Sequence, residues 1–265
     1  MADFSVALRE ELNKNEMAIP QDLNKDLFVQ NALALLNGNS EKSKALQKFC
    51  KENPNGQMQV MQGLMKGAFL GLDFSMDEAY LIPYGNSLNY QTGYKGEIKL
   101  KQKHAIRPVK KIFAEIVKEG DEYESWEENG KKGYRFKKAS FSNGAIKGAF
   151  AVCVYKDDSE DIDIEEMSLE ELENTRKHSK ASNSPAWRDF TSEMYRKTVI
   201  RRLCKRIDTD FTAQQREILN EEMAIETDPI ERKNADVEAE ANSVEFIDAD
   251  AVEVTEDADG QASFA

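Results

Sequence analysis

The chain has 265 residues, of which 40% are apolar, and a net charge of −13. This length and apolar content suffice for a hydrophobic core in one large domain or two small ones. No run of 18 apolar residues occurs and the N-terminus has no apolar signal region, so we expect neither a membrane span nor a secretory signal. The three cysteines are odd in number and far apart, which indicates a reducing compartment and argues against a disulfide frame or a zinc site.

The acidity is concentrated at the C-terminal end of the chain. Residues 208–265 hold 18 acidic and 3 basic side chains, a net of −15, which leaves residues 1–207 at +2. Within that body, residues 91–111 hold seven Lys or Arg against one Glu, and residues 176–206 hold ten against two acids. Residues 157–173, in contrast, hold ten acids and no base. Basic segments concentrated in this way favour a polyanion as the partner of the body.

Residues 1–75 have the apolar spacing of helices. We expect a short amphipathic helix at the N-terminus, then a helix that follows Asp22 and stops at Gly38. Ser40 has the position of an N-cap for a third helix that ends before Pro54. The methionine-rich segment that follows, QMQVMQGLMKGAFLGLDF, is typical of a helix packed on several sides.

Residues 78–156 have the pattern of antiparallel strands. Apolar and aromatic residues flank Gly85-Asn86 in AYLIPYGNSLNYQ, which predicts a hairpin with a short turn. The alternating segment RPVKKIFAEIV predicts another strand. Two or three further strands are expected, joined at Asn129-Gly130 and Asn143-Gly144. Together these patterns predict an α+β fold in which helices pack around an antiparallel β-sheet.

Residues 168–227 return to helical spacing. The preceding segment, DDSEDIDIEEM, is too charged to be core, and Ser168 followed by Glu171 has the pattern of a capping box. The longest helical stretch is SPAWRDFTSEMYRKTVIRRLCKRI, with Pro185 allowed in its first turn, and TAQQREILNEEMAIE is typical of one more helix. Residues 228–265 have few large apolar residues and dense acidic charge, so we expect a disordered tail after a folded core of residues 1–227.

The second half of the longest helical stretch has two different faces. At 100° per residue, the apolar side chains between Val199 and Ile207 share one face, and the basic side chains share the other. Those basic residues are Lys197, Arg201, Arg202, Lys205 and Arg206. Such a face is usually just solvated, but ordinary solvated helices mix charges of both signs, so the lack of interleaved acids weakens that interpretation and leaves a polyanion contact as the alternative. Trp187, Phe190 and Met194 lie on the basic side, where they either cap the core or form an apolar floor beside a groove.

The other basic segment begins in SLNYQTGYKGEIKLKQKH. A helix would align Lys95, Lys99 and Lys103, whereas a strand would also produce a basic edge, and the periodicity does not decide between them. Gly93 and Gly96 suit either a tight turn or a close approach of the backbone to a phosphate. Lysines beside tyrosines are what single-stranded nucleic acid requires, although each tyrosine alone is also typical of a packed sheet face.

Other chemistries have weaker signals in the sequence. There is no GxxxxGK[ST] motif for a nucleotide-driven motor, and the two histidines are not spaced as a metal pair. The aspartates between Asp157 and Asp163 offer the carboxylates that Mg²⁺ prefers, so a Mg²⁺-dependent nuclease is the alternative hypothesis. A polar loop explains the same cluster without a metal.

Two blocks of the sequence resemble the RecT family of phage recombination proteins. The first is GLDFSMDEAYLIPYGNSLNYQTGYKGEIKL, with its GLD turn, AYLIPYG and Q-x-GYKG stretch. The second is SPAWRDFTSEMYRKTVIRRLCKRI, with a Ser-Pro, an aromatic residue and a K-T-hydrophobic-basic helix. The resemblance covers roughly residues 20–210 and implies the Red-beta/RecT-like annealing fold, in which GYKG continues as a helix.

The resemblance also implies a function. Such proteins are not enzymes and need no cofactor or metal; they bind single-stranded DNA, oligomerise into rings or helical filaments, and anneal complementary strands without ATP. They work with a phage 5′→3′ exonuclease in the cytoplasm of the bacterial host, without a membrane, and a host single-strand binding protein is a further expected partner. The DNA-binding positions carried over, with the neighbouring basic residues, are Gln91, Thr92, Gly93, Tyr94, Lys95, Gly96, Lys99, Lys103, Arg107, Lys110, Lys111, Lys197, Arg201, Arg202, Lys205 and Arg206.

Overall fold

The computed structural model describes residues 2–141, 143–157, 161–179, 182 and 185–227. The predicted tail, 228–265, lies outside the described residues, so its expected disorder stays a prediction. In the part that is described, no helix is long and apolar enough to cross a membrane.

Four helices form the N-terminal part of the structure. They are α1 (Ala2–Lys14), α2 (Lys25–Asn37), α3 (Glu41–Glu52) and α4 (Gly56–Leu70). The predicted N-cap is confirmed, because the Ser40 hydroxyl accepts a hydrogen bond from the Ser43 amide. Helix α4 ends at Gly71, whose φ of 67° is left-handed. The apolar faces of these helices, among them Leu12, Leu46 and Leu64, build a first hydrophobic core.

The predicted hairpin is present beside this helical core. Strands β1 (Ala79–Tyr84) and β2 (Ser87–Thr92) pair antiparallel around Gly85-Asn86, and Gly85 has a φ of 55°. Leu81 and Tyr90 point into the first core. Helix α5 (Tyr94–His104) starts directly after β2, so the basic segment is helical, as the resemblance implied.

The remaining strands form two separate sheets, which corrects the prediction of a single one. Strands β3 (Val109–Lys118), β6 (Ile146–Tyr155) and β7 (Ile162–Ser168) pair antiparallel in the order β3-β6-β7. Strands β4 (Glu122–Glu128) and β5 (Lys131–Lys137) form a hairpin around Asn129-Gly130. Asn143-Gly144 joins no paired strands, because β6 pairs with β3 and β7 on its two sides and leaves no edge for β5.

Strand β7 lies within the acidic segment that the sequence pattern assigned to a surface loop. Its residues alternate between the two faces of the sheet, so Ile164 pairs with Val152 on one face and Glu165 pairs with Ala151 on the other. Glu165 is nevertheless buried, because arginines of a C-terminal helix accompany it on that face. High charge therefore did not exclude this segment from the sheet.

Within the described residues, four helices follow β7. They are α6 (Leu169–Lys177), α7 (Pro185–Asp189), α8 (Thr191–Cys204) and α9 (Ala213–Thr227). The predicted capping box of Ser168 and Glu171 is confirmed. The longest predicted helix is broken at Phe190, whose φ of −126° is not helical. At this break the Thr191 hydroxyl donates a hydrogen bond of 2.7 Å to the carbonyl oxygen of Trp187.

A second hydrophobic core lies between α8 and the sheet β3-β6-β7. The apolar face predicted for α8 is confirmed, since Val199, Leu203 and Cys204 are fully buried there. Trp187 also belongs to this core and contacts Tyr195 edge-on, with ring centroids 6.1 Å apart. Phe190, in contrast, is 65% exposed. Helix α5 packs against α8, which brings the two basic segments together.

Candidate nucleic-acid interface

The two blocks of the sequence meet where α5 begins beside α8. Nζ of Lys197 lies 5.5 Å from the centroid of the Tyr94 ring, and Tyr94 packs partly against the second core. This is the geometry of a cation–π contact. Only Gly93 separates β2 from α5, so Tyr94 lies in the first turn of that helix, and strand and helix together set its position.

Further lysines and a second tyrosine surround Asp77, in the loop between α4 and β1. Nζ of Lys42 lies 2.7 Å from the Asp77 carboxylate and 4.7 Å from the centroid of the Tyr80 ring. Nζ of Lys95 lies 3.9 Å from the same carboxylate. We call these side chains, which are Lys42, Asp77, Tyr80, Tyr94, Lys95 and Lys197, the lysine–tyrosine cluster.

The charges of the lysine–tyrosine cluster act on the titratable groups within it. The hydrogen bond from Lys42 lowers the pKa of Asp77, and the charges of Lys42, Lys95 and Lys197 act in the same direction. Partial burial raises the pKa of Tyr80 to about 12, with the Asp77 charge as a smaller cause. Two ammonium groups therefore lie close to this one carboxylate and Lys197 adds its charge, which leaves the cluster with an excess of positive charge beside two aromatic rings.

The glycines of the QTGYKG segment pack against the protein itself. A Cβ added to Gly93 would lie 2.4 Å from the Asp77 carbonyl oxygen, and one added to Gly96 would lie 2.1 Å from that of Glu78. Both glycines are buried, as is Thr92. Of the two interpretations of these glycines, the close approach is therefore real, but its partner is the backbone of residues 77–78.

Arg201 holds a buried ionic network behind the cluster. Its guanidinium lies 3.1 Å from the Glu97 carboxylate in α5 and 3.4 Å from that of Glu222 in α9. The Glu222 carboxylate, only 6% exposed, also accepts a hydrogen bond of 2.8 Å from the amide of Thr92. Burial raises the pKa of Glu222 to about 7, and burial also raises the pKa of Glu97. This network ties β2, α5, α8 and α9 together.

The other arginines of α8 pair with the acidic segment. Arg202 lies 2.7 Å from Glu165 and 3.0 Å from Glu171, and Arg206 also pairs with Glu165. The basic face predicted to lack acids therefore finds them on β7 and α6, elements that the helix periodicity does not show. Both arginines remain about half exposed, and Lys205 at the end of α8 is exposed as well.

The remaining predicted positions run from β2 through α5 into β3. Lys99 lies 2.7 Å from Glu78, Lys103 pairs with Asp22, and Gln91 is half-buried on β2. On β3, Lys110 and Lys111 are exposed, and Nζ of Lys111 lies 4.9 Å from the Phe113 ring centroid.

The aspartates of the nuclease hypothesis are engaged in structural contacts. Asp157 and Asp161 both pair with Arg107, at 2.5 and 3.6 Å. Asp163 accepts a hydrogen bond from the Tyr155 hydroxyl, and Asp158 lies outside the described residues. Among the residues whose positions are described, no three carboxylate, histidine or cysteine side chains are grouped as metal ligands. The geometry does not support a magnesium nuclease site here.

Comparison with known proteins decides the family. The sequence model of the RecT family matches residues 26–237, which is most of the chain and includes both blocks. The chain belongs to the RecT family. Protein RecT of Escherichia coli (strain K12) is 26% identical to it over 182 residues, which are 65% of this chain and 66% of that protein. The chain thus matches just under two thirds of the length of this curated relative.

The structure places three further residues beside the predicted site, and no sequence pattern indicated a role for them. Lys42 comes from α3, outside both blocks, and nothing distinguishes it there from other surface lysines such as Lys44. Glu222 comes from α9, where a run of acids is typical of a solvated helix face. Asp77 lies inside the first block, and its place beside three lysines depends on the packing of α3, α5 and α8.

Proposed function

We propose that this chain is an ATP-independent protein that binds single-stranded DNA and anneals complementary strands in phage homologous recombination. The observation that carries the proposal is the lysine–tyrosine cluster, in which Tyr94 of one RecT-family block contacts Lys197 of the other and Lys95 lies beside Asp77. Cations that follow a phosphate backbone beside aromatic rings that stack on bases are what sequence-independent single-strand binding requires.

The proposed DNA-contacting surface consists of the predicted residues that are at least partly exposed, apart from Arg201, which is held by two carboxylates. Besides Tyr94 these are Gln91, Lys95, Lys99, Lys103, Arg107, Lys110, Lys111, Lys197, Arg202, Lys205 and Arg206. For Thr92, Gly93 and Gly96, which are buried, we propose a positioning role: they fix the start of α5 and thereby the Tyr94 ring. Arg201 has a similar role through Glu97 and Glu222.

The proposed mechanism follows from the electrostatics of two strands. Complementary strands repel each other through their phosphates, and a cationic surface screens that repulsion and releases condensed counterions. Contacts to the backbone accept any sequence and leave bases available to test pairing with an incoming strand. Base stacking in the product duplex supplies the driving force, so the reaction needs no nucleotide hydrolysis.

Assembly and partners extend the same proposal. We propose that copies of the chain assemble into a ring or a helical filament, because a strand longer than one subunit needs a continuous cationic path. The expected partners are a phage 5′→3′ exonuclease, which would supply the single strand, and a host single-strand binding protein, both in the bacterial cytoplasm. The support for these partners is membership of the RecT family.

Incubation of an end-labelled single strand and its complement with the protein and Mg²⁺ tests the proposal against the nuclease alternative. We expect the label to remain full-length and to move into duplex faster than without protein. Shortened label without acceleration of pairing would contradict the proposal, and binding without acceleration would reduce the function to single-strand binding.

A further inference from the structure

Asp77 occupies an unusual position within the lysine–tyrosine cluster. Its backbone φ of 59° is left-handed, a conformation that aspartate and asparagine adopt more readily than other residues with a side chain. The carboxylate is less than half exposed and faces Lys42 at 2.7 Å and Lys95 at 3.9 Å. The Lys95 ammonium also lies 3.5 Å from the carbonyl oxygen of Met76. An anion is thus held between cations of α3 and α5.

We propose that Lys42, Lys95 and Lys197 form a subsite for one backbone phosphate of a nucleic-acid strand, and that the Asp77 carboxylate fills this subsite until the phosphate displaces it. The inference rests on the proposed function and adds two residues to it, Lys42 as a phosphate contact and Asp77 as its internal competitor.

The composition of the cluster supports a phosphate as the occupant. The Lys42 and Lys95 ammonium groups face one carboxylate and the charge of Lys197 also acts on it, so positive charge is in excess there. A backbone phosphate carries one negative charge, as the carboxylate does, and its two unesterified oxygens can accept charge-assisted hydrogen bonds from more than one of these lysines. The rings of Tyr80 and Tyr94 lie next to the same cations, so a base attached to the bound phosphate has an aromatic surface within reach. Exposed ion pairs of this kind are weak, so the carboxylate is displaceable.

The central variant is Asp77→Asn. Asparagine has the same shape and tolerates the positive φ, so the loop can keep its conformation while the competing charge is removed. We expect the variant to bind the homopolymeric single strand oligo(dT) about threefold to fivefold more tightly than the unsubstituted protein does at the same salt concentration. The reason is that a surface ion pair of this strength no longer competes with the phosphate. We also expect its salt dependence to steepen by up to about one phosphate contact.

Two further variants separate a phosphate contact from a merely structural pair. Lys42→Ala should weaken oligo(dT) binding and flatten the salt dependence by about one contact, and it should do so equally in the Asp77→Asn background. Lys44→Ala is the matched control, because Lys44 lies on the same helix and pairs with Glu41 at 3.1 Å, and it should change neither quantity.

The outcomes distinguish this inference from the function on which it rests. If the unsubstituted protein binds oligo(dT) but Asp77→Asn binds with equal or lower affinity, the subsite is wrong and the proposed function stands. If Lys42→Ala has no effect beyond that of Lys44→Ala, Lys42 is a partner of Asp77 only, and the subsite is again wrong. Failure of the unsubstituted protein to bind overturns both.

Discussion

Lys95 and Lys197 reach the lysine–tyrosine cluster from different helices: Lys95 lies 3.9 Å from the partly exposed Asp77 carboxylate, and Lys197 lies over the Tyr94 ring. We expect Lys95→Ala and Lys197→Ala each to weaken single-strand binding and to reduce the salt slope by about one phosphate contact. Fluorescence anisotropy with oligo(dT) over a salt series measures both quantities.

A lysine in α1 provides the control for these two variants. Lys14 is exposed and pairs with Glu11 at 2.8 Å, so Lys14→Ala should leave the slope unchanged. Equal slopes for all three variants and the unsubstituted protein would mean that the cluster is only solvated surface.

Glu222 gives the fold a pH dependence that a surface carboxylate would not. Its pKa is raised to about 7 by burial, whereas in the unfolded chain it titrates near its usual value of 4.5. The folded state therefore holds the proton more tightly, and the contribution of this group to stability falls as the pH rises from about 4.5 to about 7. Urea unfolding of Glu222→Gln over this range should give a flatter decline than that of the unsubstituted protein. Parallel curves would contradict the assigned burial.

At the residue scale, the sequence predicted the positions where a residue type has a specific local role in the backbone, such as a helix cap or a turn. The N-cap Ser40, the turn Gly85-Asn86 and the capping box of Ser168 were all predictable, because each satisfies local backbone groups. Lys42 was not predictable, because its role depends on a carboxylate 35 residues away in the chain.

At the scale of elements, Arg201 connects α8 to α5 and α9. Arg201→Ala would leave Glu97 and Glu222 buried without their shared cation, so we expect a loss of unfolding free energy on the order of 3 kcal/mol at pH 8. The loss should shrink at pH 6, where Glu222 is largely protonated. Urea unfolding at both pH values measures the effect.

The control for Arg201 is an arginine whose pair is exposed. Arg188 pairs with the adjacent Asp189 at 2.8 Å on the surface, and Arg188→Ala should leave the free energy of unfolding nearly unchanged at either pH. An Arg201→Ala variant as stable as Arg188→Ala would contradict the network and return Arg201 to the set of direct DNA contacts.

The elements differ in how far periodicity alone could predict them. The prediction of the apolar face of α8 was correct, since the apolar side chains recur with the helical period of 3.6 residues and pack against the sheet β3-β6-β7. Strand β7 was missed because its carboxylates suggest a loop, and only the arginines of α8 make Glu165 tolerable inside. The break at Phe190 was missed because the helical spacing continues through it.

At the scale of the whole molecule, the uneven charge distribution has two consequences. The acidic segment 157–173 and the basic segment 176–206 partly neutralise each other within the fold, through Glu165, Glu171 and the arginines of α8. The cations that remain available are then fewer than a count over the sequence suggests. Membership of the RecT family was recognisable from the two blocks, and both lie inside residues 26–237, which the family model matches.

The most direct test of the central claim is the rate at which the full chain pairs complementary oligonucleotides without ATP, followed while the salt concentration is raised. We predict acceleration at low salt that declines steeply with salt, and a smaller acceleration for the Lys95→Ala/Lys197→Ala double variant. The Lys14→Ala variant should match the unsubstituted protein. No acceleration at low salt, or equal acceleration by the double variant, would contradict annealing through the lysine–tyrosine cluster.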